Sequence, residues 1–140
     1  MQAFATWRRG HEILLEDGRA HSVVVDLPPE EGGASAGTTP LELTLLALAG
    51  SVTSSFVAVA HKHHLDFSSA SVAVEGSPPS PSGSPGGVHG TLRVRTRAEK
   101  GEVESVLRSA LEVCPVARIF RSAALPVTLD VVIASGSRPP

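Results

Sequence analysis

The chain has almost no redox or aromatic hardware. A single cysteine, Cys114, stands among 140 residues, with one tryptophan, Trp7, and no tyrosine. One cysteine excludes an intrachain disulfide and any two-thiol cycle confined to one chain, and it is the usage expected of a reducing compartment. There is no excess of positive charge either. Net charge is −2 with a pI near 6.3, so no general basic field is present for nucleic acid. Met1–Arg9 lacks the apolar core of a secretory leader. The expectation is a cytoplasmic protein with neither nucleic-acid nor membrane partners. At this length it should be one domain spanning 1–140.

What the chain does have is one long apolar run. From Leu41 to Ala60 the only charge is Glu42. Thr39 suits an N-cap, Pro40 the first helical position, and Glu42 the third residue after the cap. This is a capping box, in which two side chains satisfy orphan backbone N–H groups at a helix start. The helix should end around His64, with Gly50 a candidate kink. A helix apolar on every side has to be covered on every side, which points to a second subunit. The run is long enough to suggest a membrane span. Thr44, Ser51, Thr53, Ser54 and Ser55 argue against one, and no aromatic belt flanks it.

Around this helix the pattern changes period. Ala3–Arg9, His11–Glu16 and Ala20–Leu27 read as strands, with a hairpin turn at Asp17-Gly18. Residues 28–38 form a loop. Ser68–Gly76 and His89–Ala98 read as a strand pair, and Arg93, Arg95 and Arg97 should share one strand face, either solvated or binding an anion or a partner. The stretch between them, 77–87, is only Pro, Gly and Ser and reads as a mobile hairpin loop. Gly101–Val113 carries apolar residues at helical spacing, and Pro115–Ser122 suits a short second helix. Val127–Ala134 reads as a final strand, and 135–140 as a frayed tail. The class is α+β.

Two motifs carry a resemblance. Gly37-Thr-Thr-Pro-Leu-Glu-Leu followed by Ala-Leu-Ala-Gly-Ser51, and later Glu112-Val-Cys114-Pro115-Val116, resemble the OsmC/Ohr family, which includes organic hydroperoxide reductases. The resemblance implies an entwined homodimer whose central helices pack together inside two sheets. It implies thiol-dependent reduction of an organic hydroperoxide by a dithiol reductant, with no cofactor. It places Ser51 where the family has its reactive cysteine, and Cys114 where it has its resolving one. Leu41 stands where the hydroperoxidases carry a carboxylate, ten residues before that cysteine. Glu42 is adjacent but about 100° round the helix. Arg19 is the nearest candidate for the family's arginine.

The candidate site is therefore Ser51, Cys114, Glu42 and Arg19. Serine cannot enter the thiol oxidation ladder, so peroxidase activity should be impaired or absent. Cys114 either works alone, its thiolate favoured by the start of a short helix, or is a small buried hydrophobe. Ser51 is either a nucleophile, though no nucleophile elbow surrounds it, or a local hydrogen-bonding group. Glu42 has its capping role, and Arg19 reads by default as a solvated turn residue. His61 and His64 could share a metal, but no Cys or acidic ligand has matching spacing, and none is expected. The alternative function is a non-catalytic module binding a fatty or aromatic small molecule in a dimer-interface pocket.

Overall fold

The computed structural model describes residues 1–76 and 87–123. The expected loop at 77–87, except Gly87, the final strand at Val127–Ala134 and the tail lie outside these residues. The described elements are β1 (Phe4–Arg9), β2 (Glu12–Glu16), β3 (Ser22–Val25), α1 (Pro40–Lys62), β4 (Ser69–Gly76), β5 (Val88–Arg95), α2 (Lys100–Val113) and α3 (Pro115–Ser122), with a 3-10 turn at Pro29–Glu31. The α+β class follows from the sequence patterns as expected. Strands β1, β2 and β3 form an antiparallel sheet in that order, and β4 pairs antiparallel with β5.

The β2–β3 turn differs from the two-residue hairpin that Asp-Gly suggests. It runs from Asp17 to His21, because the Asp17 carboxylate gathers it. Asp17 Oδ1 accepts the Arg19 N–H at 2.7 Å and the His21 N–H at 3.3 Å. A side chain that satisfies two turn amides makes the wider turn competitive with the tight one.

Helix α1 starts as its capping box dictates. The Thr39 hydroxyl accepts the Glu42 N–H at 3.2 Å, and Glu42 Oε2 accepts the Thr39 N–H at 2.8 Å. It runs without a break through Gly50. It ends in a Schellman arrangement, with His64 in the left-handed region (φ 56°) and the Leu65 N–H donating to the Ala60 carbonyl at 2.9 Å.

Two buried clusters hold the body together. Phe56 and Ala60 of α1 meet Val106 and Ala110 of α2, Leu65, and the inner face of the β4–β5 sheet through Ala70, Leu92 and Val94. Leu48 and Val52 of α1 meet Cys114 and Ala117. These buried α1 residues recur every four positions, one stripe of the helix. The opposite side is open in the single subunit, where Leu46 is 57% exposed. Among the described residues of one chain, therefore, α1 is not covered on every side. The β1–β3 sheet is similarly bare, with Trp7 69% exposed. Arg97 lies past the end of β5, so only Arg93 and Arg95 share the strand face.

Residues 26–38 hold the chain between β3 and α1. Asp26, 2% exposed, accepts N–H bonds from Leu27 (2.8 Å), Ala34 (3.0 Å) and Ala36 (3.0 Å). The Ala36 N–H is the main cause of a carboxyl pKa held below its ordinary value, against the opposing effect of burial. The loop is so tight that a Cβ at Gly33 would fall 1.9 Å from the Leu27 carbonyl oxygen. Only glycine fits there.

Candidate functional site

Ser51 and Cys114 meet between α1 and α3. Ser51 sits at the midpoint of α1, on the side turned toward Cys114. Cys114 closes α2 and opens α3: its N–H donates to the Ala110 carbonyl at 2.9 Å and its sulfur caps the next helix. One residue can serve both helices because Pro115 at the first position of α3 needs no N–H partner. The Ser51 hydroxyl oxygen lies 3.2 Å from the Cys114 sulfur. The Ala117 N–H points at the same sulfur, 3.5 Å away.

The thiol is 0% exposed. Burial pushes its pKa up, since charge is costly out of water. The Ser51 hydroxyl, the Ala117 N–H, the Ser55 hydroxyl and the Val116 N–H push it down, and together they prevail, so it lies below the ordinary thiol value. These are the groups a thiolate needs. The sulfur is packed among Leu48, Val52 and Ala117. The same three residues border a half-open apolar pocket of about 290 Å³, lined also by the β4–β5 sheet, α2 and α3, with Arg121 its only charged lining residue among those described.

The Ala117 N–H is a site group that the motif reading missed, and its signal was its place three residues after Cys114, where a helix cap receives an N–H. Thr44 and Thr53 bond back to the α1 backbone, at the Pro40 and Ala49 carbonyls. Ser51 instead turns across to α3.

The other two candidates are elsewhere. Glu42 precedes Ser51 by nine residues, roughly 13 Å along the axis and half a turn round the helix. Its Oε2 is engaged by the Thr39 N–H, the Thr39 hydroxyl and the Thr38 hydroxyl, which lower its pKa in that order of strength. It acts as the helix cap. Arg19 is on the exposed β2–β3 turn, and its guanidinium contacts Asp17 Oδ2 at 2.9–3.0 Å rather than Ser51 or Cys114. His61 stacks on Phe67, with ring centroids 5.7 Å apart. Among the described residues no cluster of His, Cys, Asp or Glu suits a metal.

These features coincide with known proteins. The chain resembles in fold an OsmC-like protein from Mycoplasma pneumoniae, at 13% identity and TM-score 0.78 over 88% of each chain. It resembles the organic hydroperoxide resistance protein OsmC of Legionella pneumophila at 25% identity and TM-score 0.68, covering 86% of this chain and 88% of that one. The organic hydroperoxide resistance protein OhrB of Bacillus subtilis is similar at 19% identity and TM-score 0.58, over 86% and 89%. No curated protein sequence matches. The family model for OsmC-like proteins matches residues 32–130, which contain α1, the strand pair, Ser51 and Cys114, and on that match the chain belongs to the OsmC-like family.

Proposed function

We propose that this chain is an organic hydroperoxide-handling protein whose two-thiol cycle is interrupted at Ser51, leaving Cys114 as its one redox atom. The observation that carries this reading is the 3.2 Å separation of Ser51 Oγ and Cys114 Sγ. Positions that the family fills with two cysteines adjoin here, and one holds oxygen in place of sulfur.

The available chemistry is limited accordingly. The Cys114 thiolate attacks the outer oxygen of a hydroperoxide. The S–O bond forms, the O–O bond breaks, and the alkoxide leaves and takes a proton. Cysteine becomes a sulfenic acid and the peroxide an alcohol. With no neighbouring thiol, the sulfenic acid waits for an external thiol. That thiol forms a mixed disulfide and releases water, and a second thiol of the dithiol frees Cys114. A buried sulfur with no resolving partner makes this slow, so wild-type turnover is weak or absent.

The pocket favours a second reading, a binding module for a fatty or aromatic molecule. About 290 Å³ of apolar space lies within one subunit, bordered by Leu48, Val52, Val72, Val74, Leu107 and Phe120. The open side of α1 and the bare β1–β3 sheet support a homodimer, and a cytoplasmic setting suits the single reduced thiol.

The deciding experiment is consumption of a bulky organic hydroperoxide in the presence of a dithiol. Weak wild-type turnover that rises in Ser51→Cys supports the interrupted cycle. Robust wild-type turnover that Cys114→Ala abolishes overturns it in favour of a working one-cysteine enzyme. Turnover absent from both, with a fatty or aromatic molecule recovered from the purified protein by mass spectrometry, selects the binding module.

A further inference from the structure

We infer that the half-open pocket beside the β4–β5 sheet, α2 and α3 takes an aliphatic carboxylate, its head held by Arg121 and its tail lying against Leu48 and Val52. The inference rests on the reading of this pocket as a ligand site. It adds the charge and shape of the ligand and the residue that selects it.

The lining is apolar except at one end. Among the described residues Arg121 is its only charged member and Phe120 its only aromatic one, and the rest are aliphatic side chains and Gly90. An aromatic ligand gains from several ring partners, whereas aliphatic walls suit a hydrocarbon chain. Arg121 follows Ala117 by one helical turn, so both stand on the face of α3 that borders the pocket. Ala117 is buried with Leu48 and Val52 at the inner end, and Arg121 is exposed at the outer one. From Arg121 back to Cys114 the helix rises about 10 Å. A pocket of about 290 Å³ beside that length accommodates one chain, at the small end, roughly 300 Å³, of ligand sites.

The guanidinium can reach a ligand. Among the described residues its one carboxylate contact is Glu112 Oε1, 3.5 Å from Nη1. Both side chains are exposed, and exposed ion pairs contribute little. A planar fork of N–H donors matches a carboxylate two bonds at a time, and a single long contact leaves most of that fork unused. A ligand carboxylate therefore displaces Glu112 at small cost, while its tail gains from burial. An alcohol of the same chain keeps the burial and loses the charge-assisted bonds. An amine meets a like charge.

The test is calorimetric titration of the intact chain with decanoate, decanol and decylamine, each below its micelle concentration. Decanoate should bind roughly tenfold tighter than decanol, and decylamine weakest. Arg121→Gln should bring decanoate down to the level of decanol and leave decanol unchanged. Glu112→Gln removes the competing carboxylate and should tighten decanoate severalfold, which a merely structural pair would not do. Arg118→Gln lies on the same helix outside the lining and controls for lost surface charge. Val88→Trp, at an exposed lining position, should fill the open side and weaken decanoate and decanol together. Equal binding of decanoate and decanol, or equal losses in Arg118→Gln and Arg121→Gln, overturns the Arg121 anchor while retaining the pocket as a ligand site. Absence of binding by all three probes, or binding untouched by Val88→Trp, overturns the pocket reading as well.

Discussion

The Ser51 hydroxyl lies 3.2 Å from the Cys114 sulfur, across a separation of 63 residues. An introduced thiol at position 51 would thus face Cys114 at close range. In Ser51→Cys, mild oxidation should join the two sulfurs without disrupting the fold. Chain entropy suggests that closing a loop of this length stabilises by about 4 kcal/mol, as an upper bound. Thiol counting and thermal unfolding before and after oxidation check it. Persistent free thiols would show that the backbones at these positions do not approach within disulfide geometry.

Glu42 distinguishes a cap from a catalyst. Glutamine also completes a capping box, so Glu42→Gln should leave stability nearly unchanged and should not affect any hydroperoxide turnover that Ser51→Cys restores. Thr39→Ala removes the acceptor for the Glu42 N–H and should cost about 1 kcal/mol in denaturant unfolding. A Glu42→Gln chain that is fully stable but inactive in the Ser51→Cys background would make the carboxylate catalytic.

Leu46 tests the proposed assembly. It is 57% exposed in the single subunit, so Leu46→Asp places no charge in that subunit's core. The variant should fold and sediment as a monomer, while the wild type sediments as a dimer. In contrast, Phe56→Ala empties a fully buried position and should cost about 3–5 kcal/mol in any oligomeric state. A wild-type monomer at micromolar concentration would refute the dimer.

Asp26 contributes to the acid limb of stability, beside Asp17 and Glu42. Its carboxyl pKa is lower in the folded chain than in the unfolded one, chiefly through the Ala36 N–H. A depressed carboxyl contributes stability that is complete above its unfolded value and lost as pH falls through its folded value. The chain should therefore lose stability below about pH 4, and Asp26→Asn should flatten that limb while lowering stability at neutral pH. Unfolding midpoints measured from pH 2 to 7 read both effects.

Phe56→Ala and Leu46→Asp also mark where sequence reading reaches its limit. The start of α1 was legible because a capping box is a local code, complete within Thr39–Glu42 and independent of the rest of the chain. The strand periods and the Cys-Pro helix start at Cys114 are local in the same way. Which side of α1 faces inward was not legible, because a helix apolar all round carries no stripe from which to read an orientation. The β4–β5 sheet, α2 and α3 decide it, by covering Leu48, Val52, Phe56 and Ala60.

The site divides along the same line. The sequence by itself determined that only one thiol exists, that it opens a helix, and that position 51 is serine. Only the tertiary structure decided that Ser51 and Cys114 touch, that the Ala117 N–H meets the same sulfur, and that Glu42 and Arg19 are engaged elsewhere in the subunit. It also decided that Asp26 is buried and paired with three amides of its own loop. Contacts across 63 residues, or across a folded loop, depend on how the elements pack, and no spacing within a motif encodes that.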